Sequence, residues 1–251
     1  MAERKIYMPG NEFVKKLIDG EREFDNIKLE EDFKVNEHEG FEELQEKLKN
    51  SENPIQISNS RIYHFDWSGM YLNGMKMFNS EMYKNDFHKA SLKGCIIYSV
   101  LASRCNFWGD MSRIGSIKNP PERTSMENSD IISSKFFNVS LESRNMRGLK
   151  SRLNDYHDCS FCDSYLGNST FKDDEFLPAY FGEVVDFGEE GAKFENCDMS
   201  GIRKLNGKGV YGLGNSTFIN NYATKEQFEP IKKAKINALE KSLKENLKTD
   251  N

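Results

Sequence analysis

Apolar residues recur at every fifth place across the stretch from Ile55 to Phe107. Starting at Ile57, the series runs through Ile62, Trp67, Leu72, Met77, Met82, Phe87, Leu92, Ile97, Ala102 and Phe107, and every member is apolar. A second series lies two places earlier, from Ile55, Ser60 and Phe65 to Val100 and Cys105, and is small or apolar except at Asn85. At 37% hydrophobic residues, a run of this length in any register has a chance of roughly 10⁻⁴. A five-residue step turns about 140° off the face of an α-helix and alternates between the faces of a flat strand. A chain that turns a corner about every five residues keeps both series inward. Coils of this kind stack about 4.8 Å apart and pair their backbones, which predicts a solenoid.

The beat extends beyond this stretch. Residues 11–19 read as a short helix with Phe13, Leu17 and Ile18 on one side, after which Phe24 and Leu29 begin the repeat. A second helix is predicted over 40–50, with Phe41, Leu44 and Leu48 at helical spacing. After Phe107 the beat stops, and 108–128, with Pro120 and Pro121, reads as a projecting loop. It resumes at Ile131 and runs through Phe136, Leu141, Met146, Ser151, Tyr156, Phe161, Leu166 and Phe171. Arg144 and Asn154 break its companion series and predict an irregular side there. Residues 172–191 read as a second insertion, after which Phe194, Met199, Leu213 and Phe218 restore the repeat. The stretch 224–248 reads as a helix with Ile236, Leu239, Leu243 and Leu247 in a stripe that caps the last coil or pairs with its twin in a homodimer.

The runs "SRIYHFDWSGMYLNGM", "NDFHKASLKGC" and "SRCNFWGDM" resemble the pentapeptide-repeat family. The resemblance implies an all-β solenoid, a right-handed four-sided parallel β-helix with helical N- and C-terminal caps. Gly69, Gly74, Gly94 and Gly109 each lie two places after a central residue, where a corner favours unrestricted φ. The organisation expected is a helical cap with first repeats over 1–53, the β-helix over 54–223, and an amphipathic helix over 224–251.

Candidate chemistry is sparse. Cys159 and Cys162 form a CxxC, but the repeat turns Cys159 inward and Cys162 outward, which opposes both chelation and a disulfide. The four histidines show no ligand spacing, and no phosphate-binding loop or nucleophile motif is present. No catalytic residue, metal or cofactor is expected. Buried thiols, no apolar run long enough to span a bilayer and no visible leader predict a reducing, cytoplasmic setting.

The sharpest candidate for function is 172–190. Asp173, Asp174 and Glu175 adjoin Phe176, Tyr180 and Phe181, a mixture suited to binding a basic protein partner. The same residues also fit a loop folded back on the coils. Two functions follow from the resemblance: a non-catalytic scaffold for protein–protein binding, and a gyrase-binding mimic of duplex DNA that protects from quinolones or toxins. Mimicry needs about one negative charge every 1.7 Å. The net charge of −5 is spread as −6 over 1–53, +3 over 54–107, −4 over 172–223 and +2 over 224–251. The longest repeat run is thus mildly basic, which favours the scaffold. No direct nucleic-acid or membrane binding is expected.

Overall fold

The computed structural model describes residues 4–49, 51–88, 90–105 and 129–137, most of 146–180, and shorter pieces from 185 to 237. Its strands pair only in parallel and form two long sheets, one of nine strands and one of eight among the described residues. The first sheet runs from Glu23–Asp25 and Gln56–Ser58 through to Thr217–Ile219, and the second from Ile6–Met8 and Ile27–Leu29 to Glu175–Phe176. Consecutive strands alternate between them. Lys76 lies opposite Ile96 and Glu81 opposite Leu101, so each coil comprises four five-residue sides. Parallel crossovers are right-handed, giving a right-handed β-helix.

Both series predicted to face inward do so. The central residues from Ile57 to Ala102 and their companions from Ile55 to Cys105 are all at most 2% exposed. Trp67 and Phe87 stack with centroids 5.9 Å apart and planes at 2°, one step of the ladder that coil stacking imposes. The polar companions are buried too, because each completes backbone hydrogen bonds. Asn85 Oδ1 accepts the Phe65 N–H at 3.2 Å, and its Nδ2 donates to the Ile62 carbonyl at 2.7 Å. Asn154 repeats the device, accepting from the Ser134 N–H and donating to the Ile131 carbonyl. Cys95 Sγ and Ser169 Oγ likewise donate to the carbonyls of Leu72 and Met146, each 23 residues upstream. A buried polar group so satisfied costs little.

Helix α1 (Gly10–Ile18) covers the open end of the coils with Phe13, which is fully buried against Phe24, Phe65 and Trp67. It does not precede the first strand, as the sequence suggests, but follows Ile6–Met8. Helix α2 (Phe41–Lys49) lies against the third and fourth sides, where Gln45 bonds the Gly69 carbonyl and the Tyr71 N–H. A Cβ at Gly74 would come within 3.2 Å of Pro54, and its φ of +72° is left-handed, so glycine fits that corner twice over. On the first two sides the same corner position holds other residues at positive φ, among them Asn59, Asn79, Lys84 and Leu153. The turn is set by the coil, and the residue conforms.

Two expectations change. Of the side expected to be irregular near 144–154, Arg144 lies outside the described residues, and at the Asn154 end no irregularity appears: Lys150–Arg152 pairs in unbroken register with Asp130–Ile132 and Thr170–Lys172. Nor is 172–191 simply an inserted loop. Glu175–Phe176, Ala179–Tyr180 and Val185–Asp186 are strands paired with the preceding coil. The coil is merely enlarged, since Thr170 lies opposite Lys193 rather than three places earlier. Ser151 is buried at its central position, as the beat expects, and its hydroxyl bonds the Tyr156 hydroxyl at 2.7 Å and the Asn154 side chain at 2.9 Å. The expected loop over 108–128 lies outside the described residues, although the register widens across it, pairing Ile96 with Asp130. Near the C-terminus, helical backbone occurs at 231–233 and 236–237; Ile231 is buried and Ile236 is 46% exposed. Leu239, Leu243 and Leu247 lie outside the described residues.

Candidate binding surface

In each strand of the two long sheets the central side chain points in and its two neighbours point out, so the outer surface is a set of columns with one residue per coil. On the second side one column carries Tyr63 and Tyr83. Their rings meet edge to face at 6.3 Å, while Lys84 and Arg104 lie 5.3 and 5.8 Å from the Tyr83 centroid. Arg104 Nη1 donates to the Tyr83 hydroxyl at 3.2 Å. The Tyr63 hydroxyl donates to Glu81 at 2.6 Å, and burial together with that carboxylate pushes its pKa up to about 12. His64 completes the corner, 5.4 Å from the Tyr83 ring and 3.2 Å from Asp32. The corner thus presents the two aromatic rings on adjacent strands, with the cations Lys84 and Arg104 at the turns that follow.

Sequence reasoning misses this corner, though a signal exists. Reading one place after each central residue gives Tyr63, Phe78, Tyr83 and Tyr98 among small and polar neighbours. What the string does not show is that Tyr63 and Tyr83, one full coil apart, lie directly opposite each other in the sheet.

The expected site over 173–181 is not brought together on the surface. Phe176 is fully buried in the aromatic ladder, and Asp174 is fully buried at the companion position of the same side, accepting the Asn154 N–H at 2.8 Å. The inward pleat of their strand removes both from any contact surface. Asp173 is half-buried at a left-handed corner and Glu175 is exposed, and these two do face outward. Tyr180 belongs to a strand whose outward geometry is not described, and Phe181 lies outside the described residues.

Cys95, Cys105, Cys159 and Cys197 are buried free thiols. Burial pushes Cys95 and Cys197 up to about 12 and Cys105 to about 11, so they resist forming thiolates. These four are expected to stay unreactive towards a thiol reagent in native buffer and to react fully in denaturant; rapid native labelling at any of them would contradict the fold. Among the described residues no cluster of histidine, cysteine and carboxylates could hold a metal, and no helix is long and apolar enough to cross a membrane.

No protein-family model and no curated protein matches the chain. Among solved structures it is similar to a trypsin-treated form of QnrB1, described as a plasmid-mediated fluoroquinolone resistance protein. That likeness is 12% identical over 84% of this chain and 94% of the other, with a TM-score of 0.41. A pentapeptide repeat protein from the cyanobacterium Cyanothece 51142 is 10% identical over 56% and 88% of the two chains, with a TM-score of 0.32. HetL from Nostoc sp. strain PCC 7120, described as involved in heterocyst differentiation regulation, is 11% identical over 86% and 96%, with a TM-score of 0.19. The coil itself defines the architecture: five residues to a side, four sides, a central apolar residue and a buried small, apolar or hydrogen-bonded companion two places before it. By that geometry the chain folds as a right-handed β-helix with four five-residue sides to the coil, the architecture that its resemblance to the pentapeptide-repeat family implies.

Proposed function

We propose that the protein is a scaffold that binds a protein partner on the outer faces of its coils, and that the tyrosine corner is the anchor. The observation that carries this reading is the pairing of Tyr63 and Tyr83 with Lys84 and Arg104 on an ordered sheet. Tyrosine and arginine are enriched among interface hot spots, and here Arg104 bonds the Tyr83 hydroxyl. The cations around the rings suit an acidic segment of the partner, with Glu81 and Asp32 setting its register. The duplex mimic finds no support on this side, where the outward column reads Arg61, Glu81, Leu101, Lys135 and Asp155, alternating in charge and forming ion pairs such as Arg61–Glu81 at 3.2 Å.

A photo-crosslinking residue placed at position 103, beside the corner, should capture the partner in native lysate. Tyr83→Ala combined with Arg104→Ala should remove that band while the circular dichroism spectrum and melting temperature stay as in the parent. An unchanged set of captured proteins would overturn the proposal.

A further inference from the structure

Among the described residues no helix covers the first side, the one built by the nine-stranded sheet. Helix α2 occupies the third and fourth sides, which leaves the outward columns of the nine-stranded sheet uncovered by it. At their middle lies an apolar group: Phe78, Ile96, Tyr98 and Ile132. Tyr98 is 44% exposed, and its ring lies 6.5 Å from that of Phe78. Charge is distributed unevenly on either side of this group. Towards the first coils stand Glu23 and Asp25, and towards the last stand Lys150, Arg152 and Lys172.

We infer that this face takes a second copy of the chain, packed face to face about a two-fold axis that runs along the Ile96–Tyr98 strand. Such an axis reverses the order of the coils and keeps each column opposite itself. The coil above the centre then meets the coil below it, which sets Lys76 against Asp130 and Phe78 against Ile132. Tyr98 and Ile96 meet their own counterparts. Two coils out, Gln56 and Ser58 face Lys150 and Arg152, and three coils out Asp25 faces Lys172. Under this reversal Lys76–Asp130 and Asp25–Lys172 are opposite in charge, Glu23 faces Thr170, and no facing pair sets like charges together. An isologous two-fold contact requires that property.

The charges are available. Lys76 forms no ion pair among the described residues. Asp130 has a long one, 3.9 Å from Lys150. Asp25 is held as a carboxylate, its pKa lowered by hydrogen bonds from Asn59 and Ser58. Lys172 already meets Glu195 at 3.0 Å and would be shared. Seven coils with two outward residues each, bordered by corner residues such as Asn79, Ser99 and Leu153, approach the roughly 20 residues a side of a standard interface. This inference stands apart from the tyrosine corner, which lies on the second side and stays free in the paired molecule.

Sedimentation equilibrium of the full chain tests it. The parent should be dimeric at micromolar concentration. Lys76→Glu and Asp130→Lys should each weaken the dimer by about tenfold or more, because each sets like charges together twice. An equimolar mixture of the two variants should restore it, since the introduced glutamate of one chain then faces the introduced lysine of the other, and the native pair survives at the second position. Tyr98→Ser, at an outward position 44% exposed, should weaken the dimer without a shift in melting temperature. A monomeric parent, a dimer indifferent to Tyr98→Ser and both reversals, or a mixture no tighter than its components would each overturn the inference. The second of those outcomes would assign the contact to another surface, such as the C-terminal helix with exposed Ile236.

Discussion

Phe176→Ala is expected to cost on the order of 3–5 kcal/mol of folding stability, as large-to-small changes in a packed core do. Phe176 has no exposed surface and stacks on Tyr156 at 5.3 Å with the planes 12° apart. Below it in the same column Tyr156 stacks on Phe136 at 5.2 Å. Around the coil it meets the edges of Phe161 and Phe171 at 6.2 and 5.8 Å. Removing the ring therefore opens a cavity bordered by aromatics from three sides, and rigid ladders on either side limit how far they can collapse into it. Glu175, the preceding residue, points outward and is exposed; Glu175→Ala should change stability by less than about 0.5 kcal/mol. Urea denaturation of the two variants decides the matter. Similar losses at both positions would mean that the inward register at 174–176 is misplaced.

That register is within reach of the sequence. Continuing the beat from Phe171 by one step lands on Phe176, and the companion series from Ser169 lands on Asp174. An aspartate in a small-residue position, followed by further acids, makes the stretch resemble a solvated loop. The same expectation makes Asn85 and Asn154 look like faults. What the companion position requires is narrower than smallness: a group that fits the corner and can bond the coils above and below it. Asparagine, serine and cysteine all meet that need. Beyond Phe176 the difficulty is real. The coils lengthen by one place where Ser164 pairs with Val185 and by three where Thr170 pairs with Lys193, so a strict period loses phase although the stacking continues. The candidate surfaces are harder still. A five-residue rule identifies inward positions, whereas binding depends on which outward residues of successive coils lie side by side.

Asp174→Asn is expected to stabilise the protein, by up to about 4 kcal/mol at pH 8, and to abolish a pH dependence of the parent. Asp174 occupies the position from which Asn154 donates to the Ile131 carbonyl, 23 residues upstream. By the same register the carbonyl awaiting Asp174 is that of Ser151. A carboxylate has no proton to give, and Asp174 Oδ2 is buried without a hydrogen-bond partner. Burial accordingly pushes its pKa up to about 7, against the pull of the Asn154 and Ser151 hydrogen bonds. An unfolded aspartate titrates near about 3.9. Between those values the folded chain holds a proton that the unfolded chain has lost, so stability is greatest at about pH 4 and falls as pH rises towards 7. The slope is about 1.4 kcal/mol per unit, and the loss is complete above the folded pKa. The groups packed around it do not share the window: burial holds Tyr156 well above its ordinary value and Cys197 at about 12, while Asp173 and Lys172 face outward. Asparagine supplies the missing donor at every pH, so the variant should show a flat profile from pH 5 to 8 and converge on the parent only towards pH 4. Asp173→Asn, one place along and partly exposed, is the control and should leave the slope intact. Chemical denaturation at pH 5, 6, 7 and 8 reads all three proteins. A parent whose stability rises over that range, or an asparagine variant less stable than the parent at pH 8, would show that the buried carboxylate is satisfied as an anion.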